Sequence, residues 1–181
     1  MAIFMVRLRR RSGCDQVPYC AAMTHTVRRA VAADVPAVKT VTDAAYHHYI
    51  DRIGVVPAPM EADHGAEVAE GRVYVVDGER GGAPAVVGLV VVEPREDHLF
   101  LDSIAVHPDA HGQGVGRRLL AFVDEHARVL GLPEVRLYTN AMMWENQEIY
   151  PRYGYEVVER RVDGPYDRVH YRKRLTADHP A

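Results

Sequence analysis

The stretch HPDAHGQGVGRRLL, residues 107–120, sets three glycines within five positions and then begins a helical pattern. Glycine in a structured segment costs roughly 0.5–1 kcal/mol relative to alanine. Three at alternate positions therefore mark a backbone whose function side chains would obstruct. The apolar run before it, ending at Val106, predicts a strand. After it Val115, Leu119, Phe122, Val123, Ala127 and Leu130 repeat at helical spacing, with Gly131 and Pro133 closing the helix. A strand, a glycine-rich turn and a helix N-terminus make an anion site by geometry. Successive backbone N–H groups form a nest, and the helix end adds about half a positive charge. The two together suit a diphosphate. Side chains at Gly112, Gly114 and Gly116 would hold phosphates away from those amides. Arg117 and Arg118, cations that oppose the dipole of the first helical turn, fit a bound polyanion.

Two common nucleotide motifs do not match. The G-x-x-x-x-G-K-[ST] pattern is absent. The G-x-G-x-x-G pattern fails because Arg117 stands at its third glycine, and at least three strands precede the loop where a Rossmann unit has one. Breakers and periodicity place a strand at 26–30, then a helix from Ala32-Ala33-Asp34 to about Ile50, with Asp34 as N-cap and Pro36 in its first turn. Arg52 to Met60 reads as a loop by its prolines, and Glu61–Ala69 as a short helix. Strands follow at Arg72–Val76, Ala85–Glu93 and His98–Val106, with a turn beginning at Asp77-Gly78. Beyond the glycine loop and its helix come a strand at Glu134–Thr139, a helix at Met142–Tyr150, and a final strand pair at Tyr155–Val162 and Val169–Arg174. The class is α/β or α+β with a mixed sheet. The division expected is an extension over 1–24, one domain over 25–175 and a tail over 176–181.

The chain of 181 residues is long enough for one full core, and its net charge of −3 asks for neither nucleic acid nor an acidic membrane as partner. Its two cysteines, Cys14 and Cys20, precede the predicted domain, so no thiolate metal site or disulfide framework is expected. Arg7, Arg9, Arg10 and Arg11 follow the first short apolar run, the reverse of a secretory signal, and no window nears the roughly 18 apolar residues of a membrane span. These features predict a cytoplasmic protein. The ten histidines show no metal spacing: His47 and His48 are adjacent, Pro108 breaks the register between His107 and His111, and H-E-x-x-H does not occur.

The loop reads as a polar residue, x-x-G-x-G, after a strand ending in V-x-P. It resembles the acyl-CoA-binding motif of the GCN5-related N-acetyltransferase (GNAT) superfamily. His111 stands where that family usually has arginine or glutamine. A second segment, LYTNAMMWENQEIYPRYGY (137–155), resembles the family's later motif: a strand, a helix with Asn and Tyr four apart (Asn146 and Tyr150), and a G-[FY] turn (Gly154-Tyr155). RIGVVPAPM and DRVHYRKRL resemble parts of a bacterial subgroup. Pro151, directly after Tyr150, departs from the pattern and is expected to kink that turn.

The resemblance implies the acyl-CoA N-acyltransferase fold, a mixed sheet of six to seven strands flanked by helices, and acetyl-CoA as co-substrate without a metal. It places the pyrophosphate on His111, Gly112, Gln113, Gly114, Val115, Gly116 and Arg117. The pantetheine arm would pair with the backbone of Ile104, Ala105 and Val106, and Asn146 would hydrogen-bond it. The Val106 N–H would meet the thioester oxygen, a donor typically worth about 3–4 kcal/mol in acyl transfer. A lysine-like amine, of pKa about 10.4, is neutral in only about one molecule in a thousand at pH 7, so a general base is useful. Asp102, predicted on the same strand face as Ile104 and Val106, is the candidate; several family members carry an acid there. Glu93 is the weaker choice. Tyr150, protonated at pH 7, could return a proton to the departing thiolate. The amine site is expected around Tyr46, His47, Tyr49 and 52–60, with Asp51 and Glu61 suited to a cationic acceptor. Partners expected are a small-molecule or peptide amine, with a homodimer left open. A non-catalytic acyl-CoA sensor is the alternative, since the cofactor loop serves both.

Overall fold

The structure, a computed structural model, describes residues 26–176. Cys14, Cys20, the extension over 1–24 and residues 177–181 lie outside the described residues. Seven strands form one sheet: β1 (Val27–Arg29), β2 (Val73–Arg80), β3 (Ala83–Pro94), β4 (Leu99–Val106), β5 (Glu134–Asn140), β6 (Glu156–Asp163) and β7 (Tyr166–Arg174). Their spatial order is β1-β2-β3-β4-β5-β7-β6. Every pairing is antiparallel except β4 with β5. Helices α1 (Val35–Tyr46), α2 (Ile50–Ile53) and α3 (His64–Ala69) follow β1; α4 (Val115–Val129) and α5 (Trp144–Arg152) flank β5.

The two sheet faces bury separate cores. On one, Val38, Val41 and Ala45 of α1 pack on Val73, Val75, Leu89, Val91 and Ala105. On the other, Leu119, Val123 and Ala127 of α4 and Ile149 and Tyr150 of α5 pack on Val90, Val92, Leu101, Ile104 and Leu137. A buried Val or Leu contributes about 1.5–3 kcal/mol each, so the helical spacing that predicted α4 is also what anchors it. Gly88, on β3 opposite Val106, sits under this helix: a Cβ there would lie 2.7 Å from Val115 Cγ1. Among the described residues no helix is long and apolar enough to cross a membrane.

Three local expectations are corrected. Asp34 stands at the N-cap of α1, but its side chain makes no capping bond there. Its carboxylate turns back to accept the Val31 N–H at 2.8 Å and the Arg28 guanidinium at 2.7 and 3.0 Å, closing the 3-10 turn Ala32–Asp34 instead. Asp77-Gly78 is not a turn. Arg28 also holds Asp77, at 2.6 and 2.9 Å, and β2 continues to Arg80 beyond a bulge; the chain reverses at Gly81-Gly82, both with positive φ. Third, α5 runs through Pro151 to Arg152. Pro151 has no N–H to give the Gln147 carbonyl, and the helix ends one residue later.

The feature that positions the site is the parallel pair. β4 and β5 are joined only at Leu99–Val135 and Phe100–Arg136. Beyond those residues the strands part, while β5 stays paired with β7 over seven residues. The sheet is thus split on the C-terminal side of β4.

Candidate active site

Two cavities flank that split. The first, of about 360 Å³, is lined by Val106, Ala110, the run His111–Arg117 and Tyr153. Gly112 and Gly114 hold φ of +78° and +79°, and an added Cβ at either would enter open space. Gly114 is the N-cap of α4 and offers no side chain to its amides, unlike Asp63, which caps α3 by accepting the Ala66 N–H. The first backbone bond of α4 runs from Arg118 N–H to Gly114 C=O at 3.1 Å. The amides of Val115, Gly116 and Arg117 therefore make no helical bond. Gly116 is buried in the first helical turn. The loop is an open amide cradle with the dimensions and polarity for a diphosphate. Sequence reasoning missed Tyr153, whose place on the cradle wall depends on the turn after α5.

His111 shapes the mouth of the split. The Val87 carbonyl accepts the His107 N–H at 2.9 Å, so the alternation of the antiparallel ladder turns the N–H and C=O groups of Ile104 and Val106 away from β3, toward β5. Two side chains meet the carbonyls there. His111 Nε2–H donates to Val106 O at 3.2 Å, which fixes the ring as the Nε2 tautomer. The Tyr46 hydroxyl lies 3.4 Å from Ile104 O and 3.2 Å from Ser103 Oγ. Burial pulls the His111 pKa below the usual histidine range, so the ring is neutral at pH 7. Ala105 faces the α1 core and lines neither cavity.

Tyr150 is fully buried, with its ring 5.5 Å from Tyr155 and 5.3 Å from Tyr171. Among the described residues its hydroxyl has no hydrogen-bond partner, and neither has that of Tyr49. Burial drives the Tyr150 pKa well above that of a free phenol, with Tyr46 and Tyr49 among the neighbours that add to the effect. A buried, unpaired hydroxyl costs about 1–3 kcal/mol. The cost is intelligible if a ligand meets this atom. Asn146 is also buried; its amide N–H donates to Thr139 Oγ1 at 2.8 Å, tying α5 to the end of β5.

Asp102 is where the sequence reading of faces fails. Val91 pairs with Ser103 and Val92 with Leu101, leaving Asp102 as the extra residue of a β-bulge. The bulge reverses the alternation, so Leu101 and Ile104, three apart, share the α4 core. Asp102 does not share the face of Ile104 and Val106. It lines the second cavity, of about 490 Å³, with Phe100, Tyr138, Arg168 and His170. Glu93 lies at the strand end, bonded to Arg95 at 3.2 Å. Tyr46 and Tyr49, expected on the amine side, are fully buried, whereas His47 is exposed. The 52–60 segment is tied across the split: Arg52 Nη1 donates to both carboxylate oxygens of Glu145, at 2.8 and 2.9 Å, and its guanidinium lies 3.8 Å over the Trp144 ring. Among the described residues no three His, Cys, Asp or Glu side chains are grouped to hold a metal.

A mixed seven-stranded sheet that parts at its parallel pair, with an amide cradle at the end of the parted strand, defines the acyl-CoA N-acyltransferase fold. Residues 69–157 match the acetyltransferase (GNAT) domain family. Over that span the chain matches the GCN5-related N-acetyltransferase superfamily that its glycine loop and later motif resemble. No curated protein matches it. Solved structures share the fold at low identity. The PaiA N-acetyltransferase from Thermoplasma acidophilum, in complex with coenzyme A, is 15% identical with a TM-score of 0.67, over 84% of this chain and 99% of that one. The ribosomal-protein-S18-alanine N-acetyltransferase from Escherichia coli is 17% identical with a TM-score of 0.61, over 86% and 97%. An IAA acetyltransferase from Bacillus cereus is 20% identical with a TM-score of 0.61, over 84% and 100%.

Proposed function

We propose that this protein transfers an acetyl group from acetyl-CoA to a primary amine by direct attack of the amine. The observation that carries the reading is the open amide cradle at the end of β4, beside the edge that β5 leaves unpaired. The residues present fit acetyl-CoA. The amides from His111 to Arg117 would hold its pyrophosphate, and the Ile104–Val106 backbone would pair with its pantetheine arm like an added strand. The Val106 N–H would take the developing oxyanion of the thioester. Asn146, bonded to Thr139, would line the arm's path from the β5 side.

Asp102 would remove a proton from the attacking ammonium, working from the acceptor side of the sheet. New N–C bond formation would expel the CoA thiolate, whose proton would come from Tyr150. A phenol raised well above 10 stays protonated at neutral pH, so the proton is there to give. The same raised pKa means that Tyr150 must recover its proton quickly; the second proton shed by the acetylated nitrogen would restore it, and the phenols whose rings pack against it are Tyr155 and Tyr171.

A sensor that only bound acyl-CoA would need neither Asp102 nor the unpaired Tyr150 hydroxyl. The deciding experiment is release of free thiol from acetyl-CoA with and without a panel of primary amines. Amine-dependent release supports transfer; acetyl-CoA binding with no release for any amine supports the sensor.

A further inference from the structure

The second cavity is polarised. One wall carries Asp102, on β4. The opposite wall, on β7 and β6, carries Arg168 and Arg161, with the Tyr138 ring of β5 between them. Arg168 is held for presentation rather than packed away. Its guanidinium lies 4.5 Å over the Tyr138 ring and 5.2 Å from that of Tyr166, and among the described residues only Nη1 is bonded, to Asp163 Oδ2 at 3.0 Å. Arg161 donates to both oxygens of the same carboxylate, at 2.9 Å to Oδ1 and 3.2 Å to Oδ2. Two cations thus share Asp163. Glu159 borders the cavity nearby, on the exposed strand β6. The remaining guanidiniums of the cavity are paired with carboxylates: Arg95 with Glu93, Arg136 with Asp97 and Glu134, Arg172 with Glu156. His170, level with Tyr138 on β7, completes the wall with a buried Nε2 that has no hydrogen-bond partner among the described residues.

On the reading that Asp102 faces the attacking amine, we infer that the acceptor also carries an anionic oxygen group, a carboxylate or phosphate, seated at Arg168 with His170 beside it. Two strand spacings separate β4 from β7, on the order of 10 Å before the side chains reach inward. An amine and an anion within one small molecule or one terminal residue span what is left. Arginine suits this task because its planar fork meets two oxygens at once. An acceptor with no anion would gain nothing from the stacked guanidinium. A polycationic acceptor would face Arg161 and Arg168 directly.

The inference depends on the transferase reading, and one assay separates their failures. Thiol release is measured with acceptors in matched sets: β-alanine, its amide, propylamine and phosphoethanolamine; free α-amino acids and their amides; and dipeptides ending in the same residues as acids or amides. The expected result is a kcat/KM at least tenfold higher for the best acid than for its amide. Arg168→Gln should raise KM for that acid at least tenfold more than for the amide, and Arg168→Lys, which keeps the charge, should recover part of the difference. Free acids preferred over peptides would identify a metabolite acceptor, the reverse a peptide one. Phosphoethanolamine against β-alanine separates phosphate from carboxylate. Amides or propylamine matching the acids, or an Arg168→Gln effect equal on both, overturns the inference while leaving transfer intact. A panel in which no amine releases thiol removes the transferase reading, and this inference with it.

Discussion

The two cavities beside the split of β4 and β5 are built on different principles. The cradle at the end of β4 is built around backbone: amides of one continuous loop, Gly112 to Arg117, opened by glycine at positive φ. The cavity at Asp102 is made of side chains drawn from β4, β5, β6 and β7. The first puts its chemistry in the peptide unit, which every residue carries, so its specificity lies in what is left out. The second puts its chemistry in carboxylate, guanidinium, phenol and imidazole, so its specificity lies in which residues are present. A ligand shared by a whole superfamily suits the first arrangement; an acceptor that differs among relatives suits the second.

Mutations that strike one cavity should therefore spare the other. The largest effect is expected from Gly114→Leu. The new side chain would fill the open space beside the amides, and a residue with a Cβ pays about 1–2 kcal/mol to hold the left-handed conformation. Amide bonds to phosphate are worth about 1.5–3 kcal/mol each. Loss of two would weaken acetyl-CoA binding by on the order of a thousandfold, as read by calorimetric titration, with the circular dichroism spectrum unchanged. Asp102→Asn should do the reverse, slowing amine-dependent thiol release on the order of 10²–10³-fold while acetyl-CoA binds as before. A variant of Asp102 that lost acetyl-CoA binding would break the separation of the two cavities.

Tyr150→Phe sharpens the comparison from within the core, since Tyr150 lines neither cavity. Turnover should fall roughly a hundredfold. Its melting temperature should not drop, because the hydroxyl has no partner to lose. A fall in stability with full turnover would make Tyr150 a core residue and nothing more. The smallest change tests how the cradle is seated. In Gly88→Val the added atoms would press on Val115 and Leu119 of α4. Overpacking of this kind costs about 1–3 kcal/mol, so thermal unfolding should move down by several degrees. Acetyl-CoA affinity should weaken only as far as the helix N-terminus shifts.

How much of this was legible in the sequence follows the same division. The cradle could be read from a few adjacent residues, because a glycine loop between an apolar strand and a helical stripe is a local pattern. The Asn146–Tyr150 spacing and the Gly154-Tyr155 turn were local too. The second cavity could not be read that way. Its members are distant in sequence and meet only through the strand order β4-β5-β7-β6. The bulge at Asp102 carries no glycine or proline to announce it, and it reversed the face on which that residue was expected. Strand β2 outran its expected end at Asp77-Gly78 because Arg28, almost fifty residues away in sequence, holds Asp77 in place. Gly88 was invisible for a related reason: it is small because of a helix that packs on it from elsewhere in the chain.

The central claim is that the unbonded amides at the start of α4 grip the pyrophosphate of coenzyme A. Amide proton–nitrogen NMR spectra during a coenzyme A titration test it most directly. The account predicts that the largest shifts fall on Gly112, Gly114, Val115, Gly116 and Arg117, and that pantetheine alone, which lacks the pyrophosphate, leaves these signals in place. Shifts confined to other segments, or the same shifts with pantetheine, would contradict it.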